Sequence, residues 1–259
     1  MQMPIITLTS DWGLKDHYLA AVKGTIFSLL PDAKIVDISH DIPKFDIAQA
    51  AYIIRNAYQY FPEGSIHIIG INTVASIETP HIAAEYNNHI FIGADNGIFS
   101  LIFENEPSKI IEIEIPQDSD YFTFSSKDVF AKAACMIANG SKTDELGSPV
   151  TSLNNKLRLK PIIDENSIKG MVIYVDAYEN VITNITENQF RKVQKGRDYI
   201  IEVRKNTIKK ISKSYTDVRE GDIVALFGSN GLMQIALNTD KAKSLLGLDY
   251  FDIITVTFK

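Results

Sequence analysis

The sequence predicts an α/β protein in two parts: an N-terminal α/β domain built on a mostly parallel sheet, and a smaller C-terminal β-barrel domain. Two observations carry this. Through the first half, β-rich runs alternate with apolar residues at helical spacing, the pattern of a sheet covered by helices. Past Lys169 short strand-like runs dominate, and all nine prolines lie at or before Pro161. The polar stretch from Ser141 to Asp164 holds the boundary, giving residues 1–150 to the first domain, 151–164 to a linker and 165–259 to the second.

The elements follow in order. Ile5 to Thr9 is a first strand, and Leu19, Val22, Ile26, Leu29 and Leu30 mark a helix that Pro31 ends. Lys34 to Ser39 is a second strand. Ile47, Ala50, Ala51, Ile54, Tyr58 and Phe61 then form one helical stripe, opened by Asp46 and Gln49 in the manner of a capping box. Ser65 to Asn72 is a third strand, and an irregular segment runs from Thr73 to Pro80. Two strands flank the turn Asn87-Asn88, and the second ends at Gly93-Ala-Asp-Asn-Gly97. A strand over Lys109 to Ile115 and a helix over Lys127 to Ala138 complete the first part. The second part offers strands at Met171–Val175, Val181–Ile185, Tyr199–Val203, Ile223–Phe227, Met233–Leu237 and Phe251–Phe258.

Composition limits the function. The 259 residues carry a net charge of −6 with pI about 5.4, so general affinity for nucleic acid or anionic membrane is not expected. Residues 191 to 213 hold nine Lys or Arg against Asp198 and Glu202, without interleaved stacking aromatics, which reads as a solvated face of strands and turns. The single cysteine, Cys135, sits in an Ala-rich helical run and reads as a buried thiol. The N-terminal run lacks a signal-peptide pattern and no apolar run approaches the ~18 residues of a membrane span, so a cytoplasmic protein is expected. HExxH, CxxC, GxxxxGK[ST] and GxSxG are absent, which leaves zinc hydrolysis, P-loop chemistry and serine hydrolysis without support.

Three segments can carry chemistry. Ile6-Thr-Leu-Thr-Ser-Asp-Trp-Gly-Leu-Lys-Asp16 delivers a carboxylate, an indole and a glycine to a strand end, where open α/β sheets bind ligands. Asp11 suits a vicinal diol and Trp12 offers a flat wall, although an Asp that merely caps the following helix fits the same pattern. Asp176-Ala-Tyr-Glu-Asn180 joins a carboxylate, an aromatic plane and an amide able to pair with a purine edge. Phe227-Gly-Ser-Asn-Gly231 sets Ser229 and Asn230 between glycines, where exposed N–H groups can hold a carboxylate. His40, at a strand end, is a site candidate, whereas His67 within an apolar strand reads as a core histidine.

Taken in order, the first of these segments with Lys34-Ile-Val-Asp-Ile-Ser-His-Asp-Ile-Pro43, Phe45-Asp-Ile-Ala-Gln-Ala-Ala51, Phe91-Ile-Gly-Ala-Asp-Asn-Gly97, Lys127-Asp-Val-Phe-Ala131, Asp176 to Asn184 and Phe227-Gly-Ser-Asn-Gly231 resemble one family across nearly the whole chain. That family is the S-adenosylmethionine (SAM) hydroxide adenosyltransferases, relatives of the SAM-dependent fluorinase and chlorinase. The resemblance implies a homotrimer in which SAM lies between the N-terminal domain of one subunit and the C-terminal domain of the next. It also implies in-line displacement at C5′ by water, giving adenosine and methionine with no cofactor and no metal. Carried over by motif, Asp11 holds the ribose hydroxyls with Trp12 beside it, and Phe45 lies along the sugar. Asn180 reads adenine with Tyr178 stacked near it. Asp176 and Ser229 fix the methionine amino and carboxylate groups, with Gln234 nearby where the family usually has Glu.

Two segments depart from the family. Where the hydrolases resemble Asp-Pro-Gly-Val-Gly followed by Arg, this chain has Asn72-Thr-Val-Ala-Ser76 and Thr79-Pro80. Where they have Thr-Phe-His-Gly-Arg-Asp, it has Thr123-Phe-Ser-Ser-Lys-Asp128. The family's water-handling Asp, Arg and His are thus expected to be replaced, with Asn72, Ser125 and Ser126 left as candidates to orient water. Three readings follow: a SAM hydrolase with a rearranged site, a non-catalytic SAM- or adenosine-binding trimer, and a SAM-dependent halogenase.

Overall fold

A computed structural model describes residues 3–117 and 122–259. The chain divides into two compact units, one ending at Leu157 and the other running from Arg158 to Lys259. Asn154 and Lys156 donate backbone hydrogen bonds to Asp95 and Ser100 of the first unit, whereas the Leu159 carbonyl accepts from Asn184 of the second. No helix among the described residues is long and apolar enough to cross a membrane.

In the first unit the order is β1 (Ile5–Ser10), α1 (Tyr18–Leu29), β2 (Lys34–Ser39), α2 (Ile47–Ala57), β3 (Ile66–Gly70), β4 (His81–Tyr86), β5 (His89–Ala94), α3 (Ile98–Ile102), β6 (Lys109–Ile113), α4 (Ala131–Ala138) and β7 (Gly147–Pro149). The strands form one sheet in the order β2-β1-β3-β5-β4-β6-β7. Pairs β1–β2, β1–β3 and β3–β5 are parallel, while β4–β5, β4–β6 and β6–β7 are antiparallel. The sheet is therefore mixed, not mostly parallel as its pattern suggests. The cause is local: Asn87 and Asn88 both take positive φ, the two-residue turn that only an antiparallel pair accepts. Ile6, Leu8, Ile66, Ile68 and Ile92 pack with Val22, Ile26 and Phe130 in one buried cluster, and Ile69, Ile71 and Phe91 with Ala50, Ile54 and Phe99 in a second.

Asp46 caps α2, but the reciprocal half of a capping box does not form, because the Asp46 amide donates to the Pro43 carbonyl. Asp46 accepts from the amides of Ala48 and Gln49 at 3.0 Å, and the Gln49 side chain donates back at 2.8 Å. The expected helix over Lys127 to Ala138 begins instead with a π-helical turn, Ser126–Phe130, ahead of α4. Such turns concentrate at functional sites. Cys135 is buried and burial pushes its thiol up to about 11.

The second unit runs β8 (Ile162–Ile163), β9 (Ser167–Val175), β10 (Val181–Thr186), α5 (Glu187–Gln194), β11 (Tyr199–Val203), β12 (Asn206–Ile208), β13 (Ile211–Ser212), β14 (Ile223–Phe227), β15 (Leu232–Leu237), α6 (Ala242–Leu246) and β16 (Ile253–Phe258). One sheet, β12-β11-β16-β9-β10-β15-β14-β13, curls until β12 approaches β14, a nearly closed barrel around Ile168, Val181, Phe190, Ile235 and Val256. Part of the basic stretch is helical: Arg191 and Lys192 lie on α5, and Arg191 pairs with Glu187 one turn earlier.

Candidate functional site

Parallel pairing brings the carboxyl ends of β1, β2, β3 and β5 to one edge of the first sheet, with their following loops side by side. Asp11, the first residue past β1, is 6% exposed. Its Oδ2 accepts from the Phe45 amide at 2.8 Å, and its carbonyl accepts from Lys44 Nζ. It caps no helix: α1 begins seven residues later with no side-chain cap. Phe45 is 71% exposed and held at φ 64°, an unusual conformation for a bulky residue.

Trp12 ties the loops together. Its indole stacks on His40 at 6.3 Å and meets Phe124 edge-on at 5.7 Å. It also covers Gly70, where a Cβ would lie 2.5 Å from Cζ2. The ring is thus largely engaged by protein. Phe124 leads into Ser125 and Ser126, and Gly70 into Ile71 and Asn72, so the candidates Asn72, Ser125 and Ser126 share this edge with Asp11. Both serines are buried, and the Ser126 hydroxyl has no hydrogen-bond partner among the described residues.

Asn72 is exposed at φ 47°, a conformation that suits Asn among non-glycine residues. Asn96 holds it there: Nδ2 donates to the carbonyls of Ile71 at 3.0 Å and Asn72 at 3.2 Å. Farther along the loop, His81 Nε2 donates to the Thr73 carbonyl at 2.9 Å while its ring meets Phe130 of the π-helical turn. Burial keeps His81 below the usual histidine range, so it is neutral at pH 7. Asp95 is buried beside Asn96, and burial holds its carboxyl above the usual range against bonds from the Asn154 and Gly97 amides.

The second unit carries the remaining candidates on two turns. Asp176 Oδ1 accepts from the amides of Tyr178 and Asn180 at 2.9 and 2.8 Å, and Oδ2 from Asn180 Nδ2 at 2.9 Å. The turn is therefore built by Asp176, and the Asn180 amide is oriented with its carbonyl oxygen unpaired among the described residues. Tyr178 is 80% exposed. On the other turn, Asn230 Oδ1 accepts from the Leu232 amide at 3.1 Å, beside Ser229. The first turn precedes β10 and the second lies beyond its far end, where the Glu187 amide donates to the Gly231 carbonyl. A six-residue strand, at most about 20 Å of chain, separates them.

Gln234 lies between, its side chain over Gly228, and accepts a 2.8 Å bond from the Tyr215 hydroxyl. Burial raises the Tyr215 hydroxyl above its ordinary value and the nearby Asp176 charge raises it further. Tyr215 thus relates Gln234 to Asp176, a role no motif signalled. Asn96 lies in the Phe91–Gly97 motif, which gives no sign that it holds Asn72, and His81 falls in no motif. Among the described residues no group of three or more His, Cys, Asp or Glu is placed to hold a metal.

Residues 6–147 match the SAM hydroxide adenosyltransferase N-terminal domain and residues 170–255 the C-terminal domain of the same family. An (R)-S-adenosyl-L-methionine hydrolase of Methanocaldococcus jannaschii is 35% identical, covering 99% of this chain and 97% of its own. One from Thermus thermophilus is 30% identical, covering 92% and 94%. The crystal structure of an uncharacterized conserved protein from Thermotoga maritima superposes with a TM-score of 0.89 at 26% identity, over 98% of this chain and all of the other. Matched along most of its length and in both parts, the chain belongs to the SAM hydroxide adenosyltransferase family.

Proposed function

We propose that this protein hydrolyses SAM to adenosine and methionine. The observation that carries the reading is the Asp11 carboxylate, fixed by the Phe45 amide at the carboxyl edge of the sheet. The full-length similarity to SAM hydrolases supports it. Asp11 accepts from the two ribose hydroxyls, and Phe45 lies along the sugar. The Asn180 carbonyl oxygen takes the adenine amino group, with Tyr178 on the ring face. Ser229 and Asn230 hold the methionine carboxylate, with Gln234 and Asp176 toward the amino group.

In the reaction a water oxygen attacks C5′ opposite the sulfur. The C–O bond forms as the C–S bond breaks, the bonding pair passes to sulfur, and the water proton leaves to solvent. The leaving sulfonium becomes neutral, so no general acid is needed, and a dry site favours a cation that loses its charge. In this reading the family's Asp, Arg and His are replaced, and Asn72 with Ser125 and Ser126 orients the water. The protein acts as a cytoplasmic homotrimer in which a neighbouring subunit completes each site. Leu14, Phe45, Val74 and Ile77, exposed apolar residues on the segments that follow β1, β2 and β3, support that assembly.

A second reading, a SAM- or adenosine-binding trimer without turnover, is favoured by one observation: the Ser126 hydroxyl is buried and unpaired among the described residues. A hydroxyl so placed is a poor handle for water. Chromatography of SAM incubated with the protein separates the two. Adenosine above the no-protein control supports hydrolysis, and its absence, with calorimetric binding of adenosine retained, supports the binder.

A further inference from the structure

We infer that His40 is the positioning residue that holds the Ser10–Gly13 turn, and through it the Asp11 carboxylate, in its ligand-binding geometry. Ser10 Oγ and His40 Nδ1 are 2.6 Å apart, the Trp12 indole stacks on the imidazole, and the Gly13 amide donates to the His40 carbonyl at 2.8 Å. Three of the turn's four residues therefore bear on one side chain or its backbone. The fourth, Asp11, is the residue assigned to the ribose.

Ser10 Oγ accepts from the Trp12 amide at 3.4 Å and shares a hydrogen bond with His40 Nδ1, and the second ring nitrogen of His40 is Nε2. That nitrogen lies 3.2 Å from Asp37 Oδ1 but out of line for a hydrogen bond, an electrostatic contact only. Lys23 holds the other Asp37 oxygen at 2.6 Å. Burial works to raise the Asp37 carboxyl, but Lys23 and His40 outweigh it and keep it below its usual range.

Ser10, His40 and Asp37 follow the order of a hydrolase triad, yet Ser10 is 1% exposed. A nucleophile must reach its substrate, so this constellation fixes a turn and does not cut a bond.

The inference rests on Asp11 being the ribose clamp, and the test separates the two claims. His40→Gln places its amide where Nε2 was and loses the Nδ1 contact, whereas His40→Asn keeps a polar group at the Nδ1 position. Each is measured for SAM KM and kcat, for adenosine affinity by calorimetry, and for acrylamide quenching of Trp12, the sole tryptophan. Expected for His40→Gln is a rise in KM and in the adenosine Kd on the order of 10- to 100-fold, with kcat changed far less. Trp12 quenching should increase, and His40→Asn should recover most of each effect. Unchanged KM, Kd and quenching in His40→Gln, or equal losses in both variants, would overturn the positioning role. If the wild-type protein neither binds adenosine nor consumes SAM, the functional reading fails while the Trp12 comparison still decides what His40 holds.

Discussion

The Phe45 amide donates to Asp11 Oδ2 at 2.8 Å, joining residues 34 apart in sequence. To make that bond Phe45 adopts φ 64° with its ring mostly in solvent. Neither feature helps folding. A bulky residue in the left-handed region costs on the order of 1–3 kcal/mol, and such strain persists where function requires it.

Phe45→Gly should therefore leave stability unchanged or raise it by up to about 1 kcal/mol, since glycine accepts this φ freely. The same substitution removes the wall beside the sugar and should weaken adenosine binding. Chemical denaturation paired with calorimetry checks both; loss of stability with affinity intact would contradict the assignment.

Asn96 gives a second prediction. Asn96→Ala removes both bonds that fix the Ile71 and Asn72 carbonyls. Stability should fall by about 1–2 kcal/mol. If Asn72 orients the water, kcat should fall well beyond any change in KM, as steady-state kinetics will read.

Gly70 tests the packing of Trp12. In Gly70→Ala the added methyl would lie 2.5 Å from Cζ2 and 2.9 Å from Cη2, with His40 and Phe124 also against the indole. The ring must move, at a cost of about 1–3 kcal/mol. A shifted Trp12 emission maximum with a lowered denaturation midpoint is the expected result.

Two local features of the fold are legible in the sequence alone. Asp46 and Gln49 announced the cap of α2, and Asn87-Asn88 its hairpin, because each is a short-range contest that a few residues decide. α5 was not legible from periodicity: Glu187–Gln194 is polar apart from Val193 and the buried Phe190, and only the Thr186–Gln189 capping box marks its start. Asp11 and Asn180 are legible as candidates because strand ends and turns advertise polar residues. Tyr215 could not, since its link to Gln234 exists only once β14 pairs with β15 and sets Gln234 opposite Leu226. Trp12 is legible as a candidate flat wall but not as the packing centre for three loops, which depends on the approach of Gly70 and Phe124.

Acid stability provides a further prediction. His67 is buried, bonded to Thr7 at 2.7 Å and to His89 at 3.1 Å. Burial first, and then the charge of His89, pushes its pKa down to about 3 from the ordinary 6.5. The unfolded chain thus binds a proton between those values that the folded chain refuses. Stability should be flat above pH 6.5 and should decline below it, by up to about 1.4 kcal/mol per pH unit for this group, until about pH 3. A His67→Gln variant should show a shallower decline in urea midpoints measured across pH 7 to 4.

The central claim is that water attacks C5′ of a bound adenosyl group. Incubation of SAM with the protein in ¹⁸O-enriched water, followed by mass spectrometry of the products, tests it most directly. The account predicts label in the adenosine 5′-hydroxyl and none in methionine. Adenosine no more abundant than in the protein-free control, or adenosine formed without label, would contradict it.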